Sequence, residues 1–414
     1  MNDPTVLPLP TATVFAGIDW ASTDHAVCVI DTAGAVLWRH TVAHSRAGLA
    51  RLTTRLIELG VARVGIERPD GPVVEALLDA GLRVAVVPPR QVKNLRSRYR
   101  GAGKDDRFDA YLLADTMRTD GHRYADLTRD TAQTTGLRAL VRARQDLVEI
   151  RVGLVNQLRH TLELAFPGAV GLFFDLHSPI ARAFLRRFPT AIEAAVLDEE
   201  SMAAWLAAEG YCGRTPAPVF IQRLRAAPAG LTGIEADARR HITLALLAGI
   251  DAIEDQAAEL TRRIKETLAL HPDAPIFTSL PRAGQVRAAA LLAEIGDARG
   301  RYPTADALAS AAGVCPVTFE SGKHRAVGFR YAADTKLRRA LTDFADDSRH
   351  ANPWAADIYT RARARGMRHP HAVRVLARAW TFVIWRCWQD AVPYDPARHG
   401  ALNRYLDRDA AAAA

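Results

Sequence analysis

Cysteine is scarce in this sequence of 414 residues: four occur, and no two form a Cys-x-x-Cys pair. Zinc sites and thiol redox sites commonly use such pairs, and small secreted proteins carry many more cysteines for disulfide bonds. The four are Cys28, Cys212, Cys315 and Cys387. Their spacing predicts neither a zinc site nor a disulfide framework, and it fits a reducing compartment.

Long apolar runs are also missing. No charge-free apolar stretch approaches the roughly 20 residues that a helix needs to cross a bilayer. The first ten residues lack the basic segment followed by an apolar segment that marks a secretory signal. We therefore expect an intracellular protein with no membrane partner.

The composition is that of a soluble globular protein, with 49% hydrophobic and 24% charged residues. The length allows two or three domains with a sizeable core. The formal net charge of +8 favours a polyanionic partner, although the total says less than the distribution of the charges.

Short apolar runs at the start of the chain, punctuated by Asp and Gly, predict an α/β domain. Expected strands cover residues 14–20, 26–31, 36–38, 61–67 and 83–87, with helices over 45–59 and 72–80. The first three strands read as an antiparallel meander, and the later alternation with helices makes the sheet mixed. Asp19 and Glu67 then lie at the ends of the first and fourth strands.

These strand ends predict a metal site, because ligands in such sheets bind beyond the carboxyl ends of strands. A helix that begins near residue 103 brings further acids: Asp106 and Asp109, or Asp105 and Asp109, share one face. Asp is also favoured at helix N-caps. Converging carboxylates cannot all stay ionised without cations between them, and oxygen ligands suit Mg²⁺ or Mn²⁺.

A basic stretch lies between the fifth strand and these acids. It contains Arg90, Lys93, Arg96, Arg98, Arg100, Lys104 and Arg107. A charge run of this kind is either a solvated face or a phosphate-binding surface. Beside a metal site we expect phosphate contacts, from Arg96, Arg98, Arg100 and Lys104 in particular.

The middle of the chain is helical. Apolar residues recur every three or four positions over residues 131–165 and again over 234–272, which predicts two long amphipathic helices. With the shorter segments of 168–232 between them, they form either an antiparallel, coiled-coil-like arm with an elaborated tip or an internal helical bundle.

Residues 276–295 read as helix, glycine-containing turn, helix. The pattern resembles a helix-hairpin-helix, whose backbone N–H groups receive a DNA phosphate without reading sequence, with Arg282 at the usual first glycine. A helix pair within a core would look similar. Arginines and aromatic residues interleave further on, as in a nucleic-acid surface: Arg361, Arg363, Arg365, Arg368, Arg374 and Arg378, with Trp354, Tyr359 and Trp380.

Three motifs of the first domain resemble one family. They are Gly17-Ile18-Asp19, Gly65-Ile66-Glu67 and the run from Lys104 to Ala110. They are similar to the RuvC-like, ribonuclease-H-fold domain of the DEDD transposases, the insertion-sequence "one-ten" family that includes the Piv DNA invertase. The resemblance implies that Asp19, Glu67, Asp106 and Asp109 form a tetrad that binds Mg²⁺ or Mn²⁺. Asp105 stands where the family has Thr, so either neighbour remains a candidate ligand.

A second resemblance lies downstream, where residues 311–323 are similar to the family's carboxyl-terminal transposase motif. It implies that Ser321 is the nucleophile, with Lys323 and Arg325 placed to neutralise the phosphate. The implied activity is site-specific DNA recombination through a transient phosphoserine link to DNA.

The resemblance further implies partners and organisation. Donor and target DNA, a non-coding bridge RNA that guides both, and a dimer or tetramer with a composite active site are expected. The protein would be bacterial, cytoplasmic and associated with the nucleoid when active. The expected domains are a catalytic domain over 1–128, a helical linker over 129–274, a transposase domain over 275–395 and a tail over 396–414.

Three alternatives remain open on sequence. A RuvC-like junction nuclease would use water and leave Ser321 without a role. An ATPase or sugar kinase of the related actin-like fold would need a glycine in its phosphate loop, which the run Asp19 to Ser22 lacks. An architectural DNA binder would need none of the acids.

Overall fold

The structure, a computed structural model, describes residues 13–96, 105–322, 324–331 and 333–413. The chain forms two compact units. The first contains the described residues up to Thr131, together with those of Gly296–Arg339 and Ala377–Gln389. The second contains Ala132–Ile295, Ala340–Leu376 and the described residues from Asp390 onward. The division into three consecutive domains stays a prediction beside these two units.

The strands and helices occupy the following positions. The strands are β1 (Val14–Trp20), β2 (Asp24–Ile30), β3 (Val36–Ala43), β4 (Val61–Ile66), β5 (Val84–Val86), β6 (Pro316–Ser321) and β7 (His324–Phe329). The first helices are α1 (Arg46–Glu58), α2 (Pro72–Asp79), α3 (Pro89–Arg96), α4 (Asp106–Asp120), α5 (Ala132–Ala165), α6 (Pro179–Arg187), α7 (Ala191–Ala194), α8 (Glu199–Ala208) and α9 (Ala217–Ala226). The remaining helices are α10 (Gly233–Ala269), α11 (Ala274–Thr278), α12 (Gly284–Ile295), α13 (Ala305–Ala311), α14 (Thr335–Ser348), α15 (Pro353–Ala364), α16 (His369–Asp390) and α17 (Gly400–Ala413).

The first unit is built on a five-stranded mixed sheet of order β3-β2-β1-β4-β5. β1, β2 and β3 pair antiparallel, whereas β4 runs parallel to β1 and β5 runs parallel to β4. This is the RuvC-like, ribonuclease-H-like arrangement that the resemblance implies, so that prediction is confirmed.

The alternation of side chains along β1 explains how both faces of the sheet are covered. Val14, Ala16 and Ile18 are buried in a core that also takes residues of α1 and α2. Phe15 points to the opposite face, where it packs with residues of α4. Residues with odd numbers on β1 therefore face α4, and Gly17 and Asp19 are among them.

The second unit contains the two long helices, α5 and α10, packed against each other. The Arg144 Nε donates to the Thr261 Oγ1 at 2.7 Å, and Arg151 pairs with Glu254 at 2.8 Å. The partner numbers fall as the α5 numbers rise, so the helices run antiparallel. Segments between them bury Phe184 and other apolar residues in a separate core. The antiparallel pairing of two long helices is as predicted, and the choice between an arm and an internal bundle stays a prediction.

The rest of the chain is mostly helical, as expected. The exception is the β6–β7 hairpin, which has the Ser-Gly motif at its turn. Among the described residues, none of the helices combines the length and apolar character that a membrane crossing requires.

Candidate active site

Asp19 and Glu67 lie side by side at one edge of the sheet. Neighbouring strands β1 and β4 pair in parallel with Ile18 opposite Ile66. Asp19 directly follows Ile18, and Glu67 directly follows Ile66. Adjacent strands are roughly 5 Å apart, so the acids start from neighbouring backbone positions. Both are partly buried.

Two glycines let α4 approach these strands closely. Gly17 and Gly65 pair in register, each two residues before an acid. A Cβ at Gly17 would collide with the Ala110 carbonyl oxygen, and one at Gly65 would lie 2.8 Å from the Leu113 carbonyl oxygen. Only residues without a side chain fit here, so the Gly-x-acid spacing places the first turn of α4 above the acids.

That first turn carries three aspartates with different environments. Asp105 is the N-cap of α4, and its Oδ1 accepts a hydrogen bond from the Arg107 backbone N–H at 3.2 Å. Asp106 is the first helical residue and is exposed. Asp109 lies one turn later on the same face and is only 3% exposed. Asp105 caps the helix, whereas the carboxylates of Asp106 and Asp109 act electrostatically on Asp19 at the sheet edge.

Electrostatic coupling joins the four predicted ligands. The pKa of Asp19 is raised to about 7, first by burial and then by nearby carboxylates. Those carboxylates belong, in order of strength, to Asp109, Glu67 and Asp106. The structure therefore brings together all four acids of the predicted tetrad.

This donor set fits a hard divalent cation, since it consists of carboxylate oxygens whose charges repel one another. As they stand, no three His, Cys, Asp or Glu side chains in the described part of the chain have metal-ligating geometry.

Arg96, the last residue of α3, engages the most buried of these acids. Its Nε donates to the Asp109 Oδ1 at 2.7 Å, and a second guanidinium nitrogen contacts Oδ2. The side chain of Arg96 is 25% exposed and that of Asp109 is 5% exposed. The pair is bidentate, with both carboxylate oxygens occupied.

The turn after Glu67 is fixed by its own contacts. The Arg68 guanidinium stacks over the Trp20 ring at 4.5 Å and its Nε donates to Asp70 at 3.1 Å. Because Trp20 directly follows Asp19, this contact links the ends of the two strands that carry the acids.

Ser321 is the last residue of β6 and is exposed. It pairs with His324 across a tight turn in which Gly322 has a φ of 56°, a conformation that favours glycine. Arg338 anchors the hairpin at its base, donating to the Ala312 carbonyl at 3.1 Å and to the Arg330 carbonyl at 2.9 Å. Ser321 belongs to the same compact unit as the four acids.

Several predicted phosphate contacts lie outside the described residues. They are Arg98, Arg100, Lys104 and Lys323, and the side chain of Arg325 is likewise not described.

The predicted helix-turn-helix of the second unit is formed by α11 and α12. Arg282 has a φ of 58° and Gly284 a φ of 55°, so Arg282 takes the left-handed backbone that glycine adopts in the usual motif. Arg282 and Arg287 both pair with Asp347, at 3.2 and 2.9 Å. Two exposed guanidinium groups therefore flank the start of α12.

Three structural features of the site are not predicted by the sequence pattern as interpreted above. Arg96 was expected to contact phosphate, and no local signal links it to Asp109. The β6–β7 hairpin was also not predicted, although the sequence carries a signal for it. Its two strand segments are separated by two residues, Gly322 and the one after it, and this spacing is typical of hairpins. The anchoring role of Arg338 follows only from the fold.

Comparisons with known proteins give two family models and a structural neighbour for this chain. A transposase family model of the IS110 DEDD type matches residues 16–167, and a model described as "Transposase IS116/IS110/IS902 family" matches residues 274–360. The Thermus thermophilus RuvC structure covers 28% of this chain and 100% of its own at 19% identity, with a TM-score of 0.23. The fold assignment above rests on strand order, not on this score.

Full-length relatives extend the match. A mini-circle transposase candidate for IS117 from Streptomyces coelicolor is 34% identical, covering 93% of this chain and 96% of the relative. The uncharacterised protein of insertion element IS110 from the same species is 28% identical, covering 92% and 95%. The chain therefore belongs to the IS110 family of insertion-sequence transposases.

Proposed function

We propose that this transposase is a divalent-metal-dependent DNA recombinase that uses Ser321 as its nucleophile and mobilises an insertion sequence. One observation carries the proposal: four carboxylates, distant in sequence, converge at the end of β1 and β4 and couple to one another. Acids arranged in this way repel each other, a bound divalent cation offsets that repulsion, and such clusters are typical of functional sites.

Asp19, Glu67, Asp106 and Asp109 are the residues that hold the ion, Mg²⁺ or Mn²⁺. When bound, the ion polarises a DNA phosphate and stabilises the charge that develops on its oxygens. The chain's own contribution is to position the carboxylates: the sheet sets Asp19 beside Glu67, and the glycine contacts set Asp109 above them.

Ser321 supplies the attacking oxygen. The bond between its Oγ and the DNA phosphorus forms while one phosphorus–oxygen bond of the DNA backbone breaks. The hydroxyl proton passes to solvent, and the released DNA oxygen takes up a proton. Rejoining reverses these changes, with a DNA hydroxyl displacing Ser321. Exposure on a tight turn gives the serine the room that in-line attack needs.

DNA is the expected substrate, and basic groups in the second unit suit its backbone. Arg282 and Arg287 flank the N-terminus of α12, and backbone N–H groups at a helix N-terminus can donate to a phosphate oxygen. Contacts of this kind position a duplex without reading its sequence. Sequence choice would then come from another component, which agrees with guidance by a bridge RNA.

A homo-oligomer, dimer or tetramer, is part of the proposal. The long helices leave apolar side chains exposed, among them Ile150 and Val152 of α5 and Ile242 of α10. Exposed apolar side chains of this kind suit burial against the arm of a second copy.

A hydrolytic nuclease remains the second candidate, because among the described contacts none joins Ser321 to an acid of the sheet. Ser321→Ala separates the two. We expect this variant to lose strand exchange and any covalent protein–DNA adduct, measured on donor and target duplexes with Mg²⁺ and any RNA that copurifies with the protein.

Thr318→Ala is the matched control, because it removes an exposed hydroxyl from the same strand. It should retain both strand exchange and the adduct. Cleavage by Ser321→Ala at the wild-type rate would show that water attacks and would favour the nuclease.

A further inference from the structure

The contact between Arg96 and Asp109 has consequences for metal loading. A guanidinium fork that uses both oxygens of a carboxylate occupies the lone pairs that a metal ion would need. Asp109 is also the most buried member of the acidic cluster. A cation and Arg96 therefore cannot both use this side chain in the arrangement observed.

The packing of α3 against α4 sets the position of Arg96. Val92, one helical turn earlier on α3, is 1% exposed and packs in a core with Leu112 and Leu113 of α4. Residues four apart share a helix face, so the packing of Val92 directs Arg96 toward the start of α4. Gln91 adds a second tether, accepting a hydrogen bond from the Tyr124 hydroxyl at 2.9 Å.

Arg96 is surrounded by negative charge, as a bound cation would be. Besides Asp109, the carboxylates of Glu67 and Asp19 act on its guanidinium and favour its charged form. Three of the four acids thus share one positive charge supplied by the protein itself. A fixed positive charge among acids offsets their repulsion, as a metal ion would.

We propose that Arg96 is an internal counter-cation that occupies the acidic site in the metal-free protein and must leave Asp109 for the metal to bind. Metal loading is then coupled to movement at the end of α3. This inference rests on the proposed function, since it takes the acids to be the metal ligands. Arg96 is a positioning and gating residue, and it does not itself ligate the ion.

The test is the affinity of the full-length, chelator-treated protein for Mn²⁺, measured by electron paramagnetic resonance of the free ion. Arg96→Gln removes the competitor, so we expect Mn²⁺ to bind about tenfold more tightly than to wild type, within the range of typical coupling energies. Arg96→Lys keeps the charge but loses the fork, so its affinity should fall between the two.

Lys93→Gln is the matched control. Lys93 lies on the same helix with an exposed side chain, so this variant removes the same charge without touching Asp109. We expect its Mn²⁺ affinity to equal that of wild type. A gain as large as that of Arg96→Gln would show that general electrostatics, not competition for Asp109, explains the effect, and would overturn the proposal.

Asp109→Asn distinguishes failure of this inference from failure of the metal site. If it abolishes binding while Arg96→Gln leaves the affinity unchanged, the metal site stands and Arg96 is only a structural partner. If Asp109→Asn changes nothing, the acids do not hold the ion and both proposals fall.

Thermal melting gives a readout that does not depend on binding assays. Arg96→Gln should melt below wild type without metal, because the acids lose their counter-charge, and Mg²⁺ should raise its melting temperature more than that of wild type. A deficit that Mg²⁺ leaves unchanged would contradict the proposal.

Discussion

Asp19 is the acid of the cluster whose pKa is raised most clearly by its surroundings. It ends a buried strand, and its pKa of about 7 reflects burial first and the neighbouring carboxylates second. A residue chosen only to end a strand would not need three other acids around it. Perturbed acids in such an arrangement are characteristic of functional sites.

The raised pKa predicts how stability depends on pH. In the unfolded chain Asp19 titrates near its ordinary value of 3.8, whereas in the folded protein the value is about 7. The folded state binds the proton more tightly, so ionisation of Asp19 destabilises it progressively as pH rises from about 4 to about 7, and the full cost remains above that range.

Asp19→Asn mimics the neutral acid and escapes this cost. In metal-free buffer we expect the variant to gain melting temperature over wild type, and to gain more at about pH 8 than at about pH 5. Differential scanning calorimetry at the two pH values measures the difference. An equal gain in melting temperature at the two pH values, or a larger gain at the lower one, would contradict the link between Asp19 ionisation and stability.

At the scale of elements, the site depends on how closely α4 approaches β1 and β4. The paired glycines Gly17 and Gly65 make this approach possible, and the acids follow each of them by two residues. The spacing of the two Gly-x-acid motifs is therefore a packing requirement, and under the proposed function it also positions the metal ligands.

Gly17→Ala tests this requirement. The new methyl group would press against the Ala110 carbonyl and the Ala114 amide, both of them backbone atoms that cannot rotate away. We expect a loss of roughly 1–3 kcal/mol in the free energy of unfolding, as for overpacked cores, together with weakened Mn²⁺ binding. Urea denaturation followed by tryptophan fluorescence measures the first effect.

Gly136→Ala provides the comparison, because a Cβ at this exposed position of α5 meets nothing within 4 Å. It should be neutral or stabilising by about 0.5–1 kcal/mol, since alanine favours the helix. Equal effects of the two substitutions would mean that α4 does not rest on Gly17.

The sequence was informative about elements wherever periodicity or chain breakers are strong. The five strands of the sheet, the two long helices and the turn at Arg282 occur where their patterns predict them. The β6–β7 hairpin was missed because its residues were interpreted as a motif and not as strands. The contact of Arg96 with Asp109 depends on how α3 packs on α4, which no local pattern encodes.

At the scale of the whole molecule, both compact units draw on segments that are distant in sequence. The unit that contains the acids also contains Ser321, although the long helices of the arm separate them along the chain. Contacts between such segments form only in the fold, and no local sequence pattern predicts them. The net charge of +8, by contrast, is visible at once and suits a nucleic-acid partner.

The metal centre is the claim on which the rest depends, and anomalous scattering at the manganese edge tests it most directly. In a structure of the DNA-bound protein with Mn²⁺, we expect a peak held by carboxylate oxygens of Asp19, Glu67 and Asp109 at about 2.1 Å, with Arg96 turned away from Asp109. A peak elsewhere, or no peak while these acids remain apart, would contradict it.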